Sequence, residues 1–151
     1  VWSSRVPTAA TVYRRRAGWR RWTPAISAEE GSPRVVIASA DRRDRAEQAA
    51  AFVAAGAFVA IDHVGSVDDA YLTDAERVGL VRRLITAGRV DRIVLSSGSV
   101  GVAKGFDAPA ADYAAVLTTF VPALRDSGVS DDDITRILTD NPRDLLARVE
   151  A

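Results

Sequence analysis

From Val35 onward, short apolar runs rich in β-branched residues alternate with longer stretches whose apolar positions recur at helical spacing. Val35-Val36-Ile37-Ala38 reads as a buried strand. A helix is expected over 41–55, with Ala46, Ala49, Ala50 and Val53 on its apolar side, Asp41 near its start and Gly56 as its stop. Phe58-Val59-Ala60-Ile61 is the second strand and runs into Asp62-His63-Val64-Gly65. Thr73-Asp74-Ala75-Glu76 has capping-box spacing, so a helix starts there and continues through Val78, Val81, Leu84 and Ile85 to Gly88. Ile93-Val94-Leu95 is the third strand, followed by Ser96-Ser97-Gly98-Ser99. Tyr113, Val116, Leu117, Phe120, Val121 and Leu124 fall on one face of an amphipathic helix. Within it Pro122 lacks an amide proton and crowds the carbonyl of Thr118, which predicts a kink or break. Ser130 caps a short helix whose first turn, Asp131 to Asp133, suits the positive end of the helix dipole. That acidic run lacks the spread ligands and glycine turn of a calcium loop. Asn141-Pro142 predicts a cap and first-turn proline for a last helix carrying Leu145, Leu146 and Val149.

Alternating strands and helices of this kind require parallel strands joined by right-handed crossovers. Chemistry in such folds sits at the carboxyl ends of the strands, here 39–42, 62–65 and 96–102. An eight-stranded β/α barrel takes about 250 residues. A chain of 151 residues with three such strands is therefore a small open sheet or part of a larger barrel.

Composition narrows the chemistry. Hydrophobic residues make up 48% and charged residues 26%, which suits a folded domain rather than a disordered chain. The absence of cysteine excludes disulfides, thiolate metal sites and cysteine nucleophiles. With one histidine, His63, the chain cannot build a site of several imidazoles by itself. No apolar run approaches the roughly 18 residues of a membrane span, so a cytoplasmic protein without membrane contact is expected. Net charge is zero but unevenly placed: residues 1–34 carry seven arginines against Glu29 and Glu30, a balance of +5, and the remainder is −5. Residues 1–30 read as a basic leader, irregular or disordered, and residues 31–151 as the folded part. The arginine clusters, interleaved with Tyr13, Trp19 and Trp22, could touch phosphates and bases, but no reader fold accompanies them and nucleic acid is not the expected partner.

At the three strand ends the sequence resembles the C-terminal portion of the phosphotriesterase family, metal-dependent hydrolases of the amidohydrolase superfamily. The resemblance lies in Arg34-Val-Val-Ile-Ala-Ser-Ala-Asp-Arg42, Ala57-Phe-Val-Ala-Ile-Asp-His-Val-Gly65 and Asp91-Arg-Ile-Val-Leu-Ser-Ser-Gly98, taken as the family's sixth, seventh and eighth strands. Leu72-Thr-Asp-Ala-Glu-Arg77, Phe120-Val-Pro-Ala-Leu-Arg-Asp-Ser-Gly-Val129 and Ile137-Leu-Thr-Asp-Asn-Pro-Arg-Asp-Leu-Leu146 follow in the family's order. Together they cover roughly residues 31 to 149. The resemblance implies an α/β fold, a partial TIM-type barrel of about three parallel strand–helix units with extra C-terminal helices. It also implies two divalent ions, usually zinc, that activate a hydroxide for attack on a phosphoester or lactone. Where the family has a histidine ligand on the sixth strand this chain has Ser39, and where it has an aspartate ligand on the eighth it has Gly98. Neither replacement is a zinc ligand of comparable strength, and Lys104, the only lysine, is not at the bridging position. No metal is expected on this chain alone.

Asp62 and His63 match the family's substrate-pocket and proton-transfer residues. Two readings stand for them: an acid–histidine pair for proton transfer, or local hydrogen bonding without catalysis. A serine nucleophile among Ser96, Ser97 and Ser99 lacks the strand–turn–helix pattern it would need, and residues 98–105 lack P-loop spacing. The sequence thus reads as a phosphotriesterase-like hydrolase fragment that is inactive as an isolated chain, a pseudoenzyme unless a missing N-terminal barrel half or self-association completes it. The alternative is a non-catalytic remnant or interaction module that pairs through exposed sheet edges.

Overall fold

The computed structural model describes residues 10–12, 34–97 and 113–147. Its frame is one sheet of four strands, β1 (Ala10–Val12), β2 (Val35–Ile37), β3 (Phe58–Ile61) and β4 (Ile93–Leu95), in that order and all parallel. The last three fall where the hydrophobic pattern puts them. β1 lies inside the segment read as an irregular leader, because three residues are too few to show a period. Its register, Ala10↔Val35 to Val12↔Ile37, is what defines it. The rest of that leader lies outside the described residues.

The pleat sorts side chains by parity. Ile37, Val59, Ile61 and Ile93 join the main core, together with Phe52 and Val53 of α1 (Ala49–Ala54) and Leu80, Val81 and Leu84 of α2 (Asp74–Thr86). Val36 and Phe58 belong to a second, smaller cluster with Leu145, against which Ala60 and Val94 are partly buried. Each fully buried aliphatic side chain in the main core stabilises the fold by about 1.5–3 kcal/mol.

Helix α2 begins as its capping box requires. The Glu76 amide donates to Thr73 Oγ1 at 3.3 Å, and the Thr73 amide donates to Glu76 Oε2 at 2.7 Å. The helix expected over 41–55 is shorter: a 3-10 turn at Ala46–Gln48 leads into α1, and Asp41 caps nothing. That acid is instead wholly buried, turned toward α2. Gly56 ends α1 with a φ of +90°, a left-handed conformation that costs glycine little.

The long amphipathic helix after residue 113 is not uniform. A π turn at Val116–Phe120 precedes α3 (Val121–Asp126), and a second at Arg136–Asp140 joins α4 (Asp131–Thr135) to α5 (Asn141–Leu146). Each π turn ends two residues before a proline, Pro122 or Pro142. A proline ring crowds the carbonyl four residues back and offers no amide, and a wider turn relieves both defects. The change of turn also moves the helix face: Val116, Phe120, Val121 and Leu124 are buried, while Tyr113 and Leu117 are exposed. Ser130 caps α4 as expected, accepting from the Asp133 amide at 3.1 Å.

Asn141 does not act as a cap. It lies within a helical run continuous from Asp131, fully buried, and its Nδ2 donates to the carbonyls of Val90 and Ile93, both at 2.7 Å. Leu145 is buried and Leu146 is exposed, while Val149 lies outside the described residues. No helix among the described residues is long and apolar enough to cross a membrane.

Candidate functional site

The strands run parallel, so β2 and β3 deliver Ser39 to Arg42 and Asp62 to Gly65 side by side at one end of the sheet. The Ala40 amide donates to the Ala60 carbonyl at 3.0 Å and continues the pairing past β2. Ser39 then turns into the left-handed region with a φ of 54°, the one non-glycine residue among those described to do so. This turn aims its amide at Asp62 Oδ2, at 3.0 Å. The next residues bring Asp41 beneath the backbone of His63, whose amide donates to Asp41 Oδ2 at 3.2 Å.

The imidazole of His63 is held from several sides. Nδ1 donates to Asp62 Oδ1 at 2.8 Å and lies 3.5 Å from Asp41 Oδ1, while the ring stacks on Tyr71 with centroids 3.6 Å apart. Burial pulls the His63 pKa down, but contact with the Asp41 and Asp62 carboxylates and their charge outweigh it and raise the pKa to about 9. The ring is a cation at neutral pH. Burial alone would raise the Asp41 pKa, yet His63 and Arg77 together hold it below its ordinary value.

Behind Asp41 stands Arg77, a fully buried arginine on the inner face of α2. Its Nε donates to Asp41 Oδ2 at 2.8 Å and its Nη1 to Asp74 Oδ1 at 2.6 Å. Asp74 Oδ1 also accepts from the Gly65 amide at 3.0 Å, which ties α2 to the loop after β3. A buried ion pair of this kind contributes little net stability as a pair, but losing one partner leaves the other charge stranded.

The structure therefore places Asp62 and His63 together at the strand ends and joins Asp41 to them. The sequence pattern gave no role to Arg77, Tyr71 or Asp74 beyond the capping segment. One signal for Arg77 was present: it occupies the apolar stripe of α2, four residues before Val81 and seven before Leu84, where a charge requires a buried partner.

Asp41, Asp62 and His63 each offer a donor atom, and these atoms lie within 4.8 Å of one another, so they are the described residues that could approach a cation. Asp41 Oδ2, both oxygens of Asp62 and His63 Nδ1 are engaged in hydrogen bonds, while Asp41 Oδ1 is buried without a hydrogen-bond partner, 3.5 Å from His63 Nδ1. The paired ions implied by the resemblance do not fit at Ser39, whose side chain offers one neutral hydroxyl and whose amide is committed to Asp62. Gly98 lies outside the described residues and, as glycine, has no side-chain donor.

The phosphotriesterase family profile matches residues 16–146, so the match begins within the segment read as an unmatched leader. A phosphotriesterase homology protein from Mycobacterium tuberculosis is 30% identical over 135 residues, 82% of this chain and 40% of its own. The protein of that name from Escherichia coli is 29% identical over 109 residues, 72% of this chain and 37% of its own. A crystal structure of the E. coli protein, complexed with phosphate in its active site, superposes with a TM-score of 0.63 at 28% identity, covering 80% of this chain and 41% of that one. An organophosphorus hydrolase from Deinococcus radiodurans shares the fold with a TM-score of 0.67 at 21% identity, covering 82% of this chain and 41% of that one. The chain thus spans about 40% of the length of the relatives it matches. With a profile match over most of its residues and a sheet that superposes on part of these barrels, the chain belongs to the phosphotriesterase family.

Proposed function

We propose that this chain is the C-terminal part of a phosphotriesterase-like hydrolase acting on phosphoesters or lactones, and that it is inactive as an isolated polypeptide. The observation that carries the reading is the Asp62–His63 pair, held by Asp41 at the carboxyl ends of adjacent parallel strands, where α/β enzymes keep their chemistry. Nδ1 is engaged by carboxylates, so Nε2 is the nitrogen available to substrate, and a ring that is cationic at neutral pH serves as proton donor to a leaving group. Two divalent ions would supply the attacking hydroxide in a family member, and Ser39 and Gly98 are poor positions from which to hold them.

The test supplies the E. coli relative's N-terminal portion in trans and restores the ligands with Ser39→His and Gly98→Asp. Assays use phosphotriester, lactone and aryl ester substrates in added zinc or manganese. The expected result is no turnover by the chain alone, turnover by the restored complex, and a loss of at least ~100-fold on His63→Ala. Turnover by the unaltered chain alone, or none by the restored complex, contradicts the proposal.

A further inference from the structure

We propose that Tyr71 is the positioning residue for the His63 proton donor: its ring fixes the plane of the imidazole so that Nε2 meets the leaving group of a bound phosphoester or lactone. The inference rests on the hydrolase reading above and assigns a further residue to the same site.

The carboxylates alone leave the ring incompletely held. Asp62 Oδ1 accepts from Nδ1 at 2.8 Å and Asp41 Oδ1 lies 3.5 Å from the same nitrogen, so both act on one edge. The terminal torsion of a histidine is broad, and a hydrogen bond at one edge lets the rest of the ring swing. Nε2 lies across the ring from that edge. A swing there misplaces the proton to be transferred, and a displacement on the order of 1 Å can cost ~100-fold in rate. Tyr71 supplies the missing restraint, with ring centroids 3.6 Å apart and planes 19° from parallel. A flat face at that distance leaves the imidazole no room to tilt toward it.

Tyr71 is itself fixed, and by the backbone that carries Asp41. Its amide donates to the Asp68 carbonyl at 3.0 Å, and Arg42 and Tyr71 face each other across an isolated antiparallel bridge. To either side, the Arg43 amide donates to the Ala70 carbonyl at 3.1 Å and the Leu72 amide to the Asp41 carbonyl at 2.9 Å. The segment before α2 is thereby stitched to the end of β2. Asp41 joins this seam to the histidine, since its carboxylate also accepts from the His63 amide.

Core packing does not account for the tyrosine. It is only partly buried and belongs to neither hydrophobic cluster. What its ring meets is the His63 imidazole and, 5.9 Å from its centre, the Arg42 guanidinium. The negative face of an aromatic ring suits a protonated imidazole as it suits a guanidinium.

The experiment uses two substitutions in the full chain. Tyr71→Phe keeps the aromatic face and Tyr71→Leu removes it, and the melting curves of both are compared with that of the unaltered chain. Proton NMR of the single imidazole, without metal or substrate, is expected to show an upfield ring-current shift and cross-peaks to the ring at position 71. Both should survive Tyr71→Phe and vanish in Tyr71→Leu. In the restored complex described above, Tyr71→Leu should lower kcat at least ~10-fold with KM changed by less than about two-fold, and Tyr71→Phe should keep kcat within about two-fold. Absence of the shift and cross-peaks in the unaltered chain overturns the proposal even where Tyr71→Leu fails to fold. An imidazole resonance unmoved by Tyr71→Leu, or Tyr71→Phe as slow as Tyr71→Leu, also overturns it. A restored complex that is inactive with Tyr71 in place contradicts the hydrolase reading and this proposal with it, whereas an active complex indifferent to Tyr71→Leu contradicts only the role of Tyr71.

Discussion

Alternate residues of β2, β3 and β4 meet different surroundings. Ile37, Val59, Ile61 and Ile93 are at most 4% exposed beneath the helices, while Ala60 and Val94, their neighbours in sequence, are only partly covered. The strands are the same and only the pleat differs. On the second side Val36 and Phe58 are buried against Leu145, so the contrast is between a thick core under several helices and a small one. The ion network at the strand ends belongs to the thick side, since Arg77 reaches Asp41 from α2.

The largest effect that separates the two sides should come from Arg77→Met. It strands a buried carboxylate at Asp41 and should cost about 3–5 kcal/mol in denaturant unfolding. A cost below ~1 kcal/mol would show that the network does not bind α2 to the sheet. Next, Leu84→Ala in the main core should cost about 3 kcal/mol. Val94→Ala, at a partly buried position of the small cluster, should cost about 1 kcal/mol or less. Equal costs would erase the distinction between the faces.

Smaller still is the pH dependence of His63. Its pKa is raised in the folded state, so its contribution is fully present below the unfolded value of 6.5 and is lost as pH rises through about 9. Stability should therefore fall by ~2 kcal/mol across that window. The sole imidazole in the chain gives a single titrating NMR resonance, and a midpoint near 6.5 would contradict the geometry. The Asp62→Asn variant should move the midpoint down. Last, Thr73→Ala removes the hydroxyl of the capping box and should cost about 1 kcal/mol, with no change in the His63 midpoint.

Three strands and the start of α2 were legible because each depends on local pattern: β-branched runs, and a threonine spaced from a glutamate. Asp62 and His63 could be picked out as the only acid–histidine pair at a strand end. The roles of Asp41 and Arg77 could not, because their partnership spans 36 positions and exists only after β2 and α2 have packed. Asn141 was misread for a related reason. An asparagine before a proline is a good local cap, but two carbonyls near the start of β4, at Val90 and Ile93, claimed its side chain instead. Pro122 correctly signalled a break in helical regularity, while the form it takes, a π turn rather than a kink, depends on which residues the core then accepts.

The most direct measurement is turnover of phosphotriester, lactone and aryl ester substrates in added zinc by this chain alone and by the chain carrying Ser39→His and Gly98→Asp together with the N-terminal portion of the E. coli relative. Turnover is expected only from the restored complex, with a loss of at least ~100-fold on His63→Ala. Turnover by the unaltered chain alone would contradict the claim that it works only as part of a larger barrel.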